Sequence, residues 1–233
     1  MTPTTSSSKG RQLASNINSK VDQELAEFDR LVERAKRQMD GGDGDQLLIS
    51  ENTDGISGIE EYFSEITLSM MLWSAAELAS IYGVAIPAKL SETKVKSVLG
   101  SLNARYNGMV TEAKFITKVT SSFEDGATAD LLITPRNINS LRKSVDFAAT
   151  FSAEHGVYLA GNETFDKKTV VIVRDSETTD LCRNRMAGQV VPWKGYYVDP
   201  VSGSRWLHPP FIFAKLSKAE LLHACRSSSV PSD

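Results

Sequence analysis

Apolar and polar positions divide this chain into two textures. In the first, apolar or small residues fall at Val21, Leu25, Phe28, Val32, Ala35 and Met39, spaced alternately four and three apart with charges between them. That rhythm keeps one face apolar over successive turns and predicts a helix beginning near residue 14. The repeat is too short to hold an isolated coiled coil. The seam therefore either docks on the rest of a bundle or is shared with a partner chain. The Gly/Asp cluster at 40–46 ends the helix, and an acidic loop is expected up to Asp54. Ser57 and Glu60 have capping-box spacing and predict a second helix running to Tyr82, ended by Gly83 and Pro87. Its stripe is Ile59, Phe63, Ile66, Met70, Trp73 and Ile81. A third helix is expected over 91–119. Thr134 and Pro135 read as an N-cap and first helical position of a fourth. That helix carries Ile138, Leu141, Val145 and Ala148 inward and stops at Gly156. His155 would lie against its C-terminal dipole.

After Gly161 the texture changes. Val170, Val171, Ile172 and Val173 form a continuous β-branched run that predicts a buried strand. Glycines and prolines then alternate with Trp193, Tyr196, Tyr197, Trp206 and Phe211, as in a turn-rich, aromatic-packed module. A last short helix is expected over 217–225. The fold class is α+β. It comprises a polar, disordered tail over 1–12, a helical domain over 13–160 and a small module over 161–233.

Composition adds limits. Hydrophobic residues make up 41% and charged residues 24% of 233, and the net charge of −3 is no global field for nucleic acid. The charge is uneven, because residues 38–88 hold nine acids and no Lys or Arg. Such a block suits a basic protein neighbour, or is simply a solvated face. The N-terminal stretch lacks the apolar core of a signal peptide, and the run over 66–76 is too short to span a bilayer. The reading is a protein made in cytoplasm with no membrane role.

The chemistry-bearing residues are few. The three histidines are His155, His208 and His223, and the two cysteines are Cys182 and Cys225. Cys182, His208, His223 and Cys225 have the atoms for a zinc site, although no C-x-x-C pair anchors it. A buried thiol or a Cys182–Cys225 disulfide are the alternatives, and the cysteines are expected to lie close in space. No phosphate loop, G-x-G-x-x-G or H-E-x-x-H is present, so no active site is named. Arg174, Arg183, Arg185, Lys194 and Arg205 lie near aromatics as a nucleic-acid patch would require. Asp175, Glu177, Asp180 and Asp199 nearly cancel them.

Both cysteines precede an arginine, and the two motifs bracket the Gly/Pro/aromatic segment. The stretch 175–191, with Asp175, Thr178, Thr179, Cys182, Arg183 and Gly188, resembles the signature of the phage head-morphogenesis family, the Mu F-like minor capsid proteins. That family's domain closes on a Pro-Pro-x-His-x-x-Cys-Arg-Ser type motif, and residues 221–228 offer His223, Cys225, Arg226 and Ser227. Leu221 and Leu222 stand where the prolines would be, and His208-Pro209-Pro210 occurs earlier. The resemblance covers roughly residues 136–227. It implies a virion component of a tailed phage, inside the capsid or at the portal vertex, with portal or major capsid protein as partner. A role in DNA packaging or ejection, with weak contact to viral DNA, would follow. On that reading the protein is not an enzyme and needs no cofactor. The seam Val21, Leu25, Phe28, Val32 and Met39 would then be its partner surface. The competing readings are a zinc-stabilised DNA-binding protein and an enzyme of the ADP-ribosyltransferase or nuclease type. Asp175 and the Thr178/Thr179 pair are expected to shape the turn after the strand.

Overall fold

The computed structural model describes residues 7–40, 49–86, 135–172, 181–209 and 226–232. The architecture is α+β, with a helical N-terminal part and antiparallel strands after it. Helix α1 spans Ser8–Asp40, α2 Ile49–Tyr82 and α3 Pro135–Gly161. Strand β1 (Lys167–Ile172) is followed by a π-helical turn (Leu181–Met186). Then come β2 (Val190–Pro192), β3 (Tyr197–Val198), β4 (Arg205–Trp206) and β5 (Ser227–Pro231). The helices expected over 91–119 and 217–225 lie outside the described residues. No helix among the described residues is long and apolar enough to cross a membrane.

The α1 stripe packs inward. Val21, Leu25, Phe28 and Val32 are all nearly solvent-free, and the row extends back through Ile17 and Leu13. They meet Ile66, Met70 and Leu78 of α2 and Val145, Ala149 and Ala153 of α3 in one core. Burying six such side chains contributes on the order of 10 kcal/mol before chain entropy is subtracted. Two helix starts differ from expectation. Helix α1 starts at Ser8, because the Ser7 hydroxyl accepts the Gly10 amide at 3.1 Å as an N-cap; residues 8–12 are helix, not tail. Helix α2 starts at Ile49, so Ser57 and Glu60 lie inside it and not at its start. Its end at Gly83 is as read: φ is 71°, and the Gly83 amide reaches Ala79 O at 2.8 Å.

Helix α3 runs through Gly156 to Gly161. A Cβ at Gly156 would lie 2.2 Å from Met71 O and 2.3 Å from Ser74 Oγ. Gly156 is therefore the point where α3 and α2 approach most closely, not a terminator. His155 is accordingly mid-helix and caps nothing.

Strand β1 is the centre of a three-stranded antiparallel sheet, β2-β1-β5. Val170 pairs with Ser229 of β5, and Lys168 with Val191 of β2 and Pro231 of β5. Alternation along β1 gives it two buried faces. Val171 faces the helical core, and Val170 and Ile172 face a second cluster of Leu181, Cys182, Met186, Tyr197 and Trp206. The continuous β-branched run reflects those two faces. Trp193 and Val230 belong to the helical core itself, so packing is continuous across residue 161.

Candidate functional site

The first Cys-Arg motif lies in the π-helical turn that returns the chain from β1 to β2. Cys182 is buried against Leu181, Met186, Tyr197 and Trp206. Arg183, next to it, is exposed. Gly188 has φ 70°, the left-handed region where a side chain is strained, and its amide reaches Val170 O at 3.2 Å. The glycine of the motif thus sets the turn that delivers β2 to β1. Arg185 pairs with Asp199 at 2.9 Å.

The second motif is described from Arg226 onward. Its guanidinium meets Asp22 of α1 at 2.8 Å and Asp146 of α3 at 3.8 Å. Its carbonyl accepts from Asn18 Nδ2 at 3.4 Å. Arg226 thereby fixes the start of β5 onto two helices. Asp175, Thr178, Thr179, His223 and Cys225 lie outside the described residues, and with them the Cys182–Cys225 proximity. Met39 sits near the end of α1. The rest of the expected partner seam (Val21, Leu25, Phe28 and Val32) is enclosed in the chain's own core, which leaves no apolar face there for another protein.

Between the two motifs lies a buried cluster of ionisable groups. Glu154 of α3 is fully enclosed and accepts the Ser229 amide of β5 at 2.8 Å. Burial pushes its carboxyl up to about 8, against the opposing pull of the Ser229 amide, the Ser228 hydroxyl and Lys168. Lys168 of β1 is 1% exposed and donates to Leu207 O at 2.5 Å. Its ammonium also lies 5.0 Å from the Tyr158 ring centre and 5.3 Å from that of Tyr197. Burial lowers it to about 8, with Glu154 acting in the other direction. The Tyr197 hydroxyl lies 2.7 Å from Ser229 Oγ, and burial raises its pKa.

His208 completes the cluster. Its Nδ1 is 2.6 Å from Pro209 O, and its Nε2 is 3.1 Å from His155 Nδ1. A carbonyl only accepts, so Nδ1 of His208 carries the proton and Nε2 accepts one from His155. Burial, then the neighbouring His155, lowers His208 to about 3. Phe151 packs on it at 4.9 Å between ring centres. Both ring nitrogens of His208 are thus engaged within the cluster, and His223 and Cys225 of the expected zinc set lie outside the described residues. Among the described residues no group of three or more His, Cys, Asp and Glu side chains is placed to hold a metal ion.

Sequence reasoning missed Glu154 and Lys168. From Val145 onward α3 is enclosed on almost every side, so Glu154 has no wet face to choose. Lys168 stands beside the exposed Lys167 at a strand start and reads as solvent-facing; strand alternation turns it inward. The cluster joins α3, β1, the segment after β4, and β5 through charge-assisted and aromatic contacts. The chain matches no protein-family model, no curated protein and no solved structure.

Proposed function

We propose that this protein is a structural head component of a tailed bacteriophage, a minor capsid protein associated with the portal or the capsid and acting in head morphogenesis. One observation carries the reading. The strands that follow the two Cys-Arg stretches, β2 and β5, pair on opposite edges of the same strand, β1. A signature split across more than 40 residues of sequence is thus spent on one small sheet docked to a helical stem. The buried ionisable groups fit the same reading. Glu154 holds a β5 amide and Lys168 holds the Leu207 carbonyl, so both serve the joint between elements.

The experiment is to co-express the chain with the portal and major head proteins of its own genome, and to analyse purified particles by mass spectrometry. Low-copy incorporation into heads, with aberrant or non-infectious particles when the gene carries a nonsense mutation, is the expected result. Particles that form normally, infect normally and never contain the chain would refute it.

A further inference from the structure

We propose that the outward face of the β3–β4 hairpin, with β2 beside it, is the surface by which this protein docks, and that it takes an acidic, apolar-centred protein surface. The inference rests on the head-protein reading for the identity of that partner.

The hairpin has an inner and an outer side. Tyr197 pairs with Trp206, and both point into the module core; Val198 pairs with Arg205, and both are exposed. Tyr196, two positions before Val198, shares its side. Among the described residues six large hydrophobic side chains are exposed, and four are here: Val190 at 40%, Tyr196 at 48%, Val198 at 41% and Val201 at 76%. Arg205 lies 4.8 Å over the Tyr196 ring, which holds the guanidinium in place. Tyr and Arg around an aliphatic centre is the composition of interface hot spots.

The tip that carries Val201 is built to be stiff. Asp199 is enclosed and accepts the amides of Val201 at 3.2 Å and Ser202 at 3.1 Å, the Ser202 hydroxyl at 2.5 Å and Arg185. Burial opposes its ionisation, but these four donors outweigh it and hold the carboxyl below its usual range. Gln189 ties the hairpin to β2: its Nε2 donates to Val198 O at 2.9 Å, and its Oε1 accepts the Val198 amide at 3.3 Å. The polar groups of that β3 edge are therefore used. A partner cannot simply add a strand to that edge. A preformed face loses little entropy on binding.

Charge selects the partner. Lys194 and Arg205 are exposed, and the one carboxylate within 181–209, that of Asp199, is buried on Arg185. The face attracts acidic surfaces and rejects basic ones. Nucleic acid is the poorer fit. Three valines stand where phosphates would have to approach.

The test uses the full chain and, as probes, the portal protein and the major head protein of the same genome. Val201→Asp and Arg205→Glu are compared with Leu72→Asp, an exposed position on α2, after circular dichroism has shown all three folded. Wild type and Leu72→Asp should bind one of the probes, each hairpin variant should bind at least tenfold more weakly, and added salt should weaken the wild-type complex. Unchanged binding by folded hairpin variants would overturn the docking proposal and leave the head-protein reading standing. Failure of the wild type to bind either probe would remove the head-protein reading and this proposal with it. A short duplex DNA that binds and is lost in Arg205→Glu, with protein binding untouched, would also overturn it.

Discussion

Raising the pH from 6.5 to 8 should loosen this fold, and Glu154 is the cause. Its carboxyl ionises near 4.5 in an open chain and near 8 when enclosed. Between those values the folded state keeps a proton that the unfolded state has lost. The stability this gives is fully present below 4.5 and is lost as pH rises through 8, at about 1.4 kcal/mol per pH unit. His208 works in the opposite sense. It is depressed from 6.5 to about 3, so its contribution is present above 6.5 and is lost as pH falls toward 3. The two slopes oppose each other between 4.5 and 6.5, where stability should be nearly flat. Above 6.5 the Glu154 slope is no longer opposed by His208, and about 1.5 pH units at that slope amount to about 2 kcal/mol by pH 8. Lys168, lowered from 10.5 to about 8, acts in the opposite sense and stabilises the fold as pH rises above that range. For a chain of this size about 2 kcal/mol is roughly 4–8 °C of melting temperature. Thermal melts followed by circular dichroism from pH 5 to 8 measure it, with Glu154→Gln run alongside. The variant should be flat above 6.5. A wild-type melting temperature that does not fall from 6.5 to 8, or a fall that survives in Glu154→Gln, would refute the assignment.

Three substitutions test the joints, each by urea denaturation. Gly156→Ala gains about 1 kcal/mol of helix propensity, but its methyl must displace the Met71 carbonyl. Overpacking at the upper end of the usual cost should leave the protein about 2 kcal/mol less stable. Arg226→Met removes the cation between Asp22 and Asp146 and should cost about 2 kcal/mol, mostly by leaving the buried Asp146 without that neighbour. Tyr197→Phe keeps the ring under Lys168 and loses the contact with Ser229, so about 1 kcal/mol is expected. A midpoint unchanged within error in any of the three would contradict the contact named for it.

How much of this was legible varied with the kind of signal. Periodicity over many residues announced the α1 stripe from Val21 to Val32 and the doubly buried β1. Local punctuation was weaker evidence. Gly156 looks like a stop and is a contact point, and the Ser57–Glu60 box looks like a start and is mid-helix. At Gly156 packing overrode the local preference. Strand β5 gave no warning, since Ser227, Ser228 and Ser229 have little β propensity of their own. They become strand because β1 offers an edge, with Glu154 accepting the Ser229 amide. The His155–His208 contact joins positions 53 apart in sequence, and no spacing rule reaches that far. The seam of α1 was read correctly as apolar, but its occupant came from α2 and α3.

The contact between Arg226 and Asp22 closes a loop of 204 residues, and nearby Val230 sits against Gly10 near the start of the first helix. This gives the fold a fixed order in time. During synthesis at ordinary rates, roughly 10–40 s separate the appearance of Asp22 from that of Arg226. Throughout that interval the end of α1 that Val230 will cover is made and waiting, and the sheet lacks one edge. The helices, rich in near neighbours, can pair early; the last strand must find its slot against both the sheet and a helix formed long before. Folding of this chain is therefore predicted to have a late, distinct step, the seating of residues 227–231. Weakening that strand should slow completion of the fold more than it disturbs the helices.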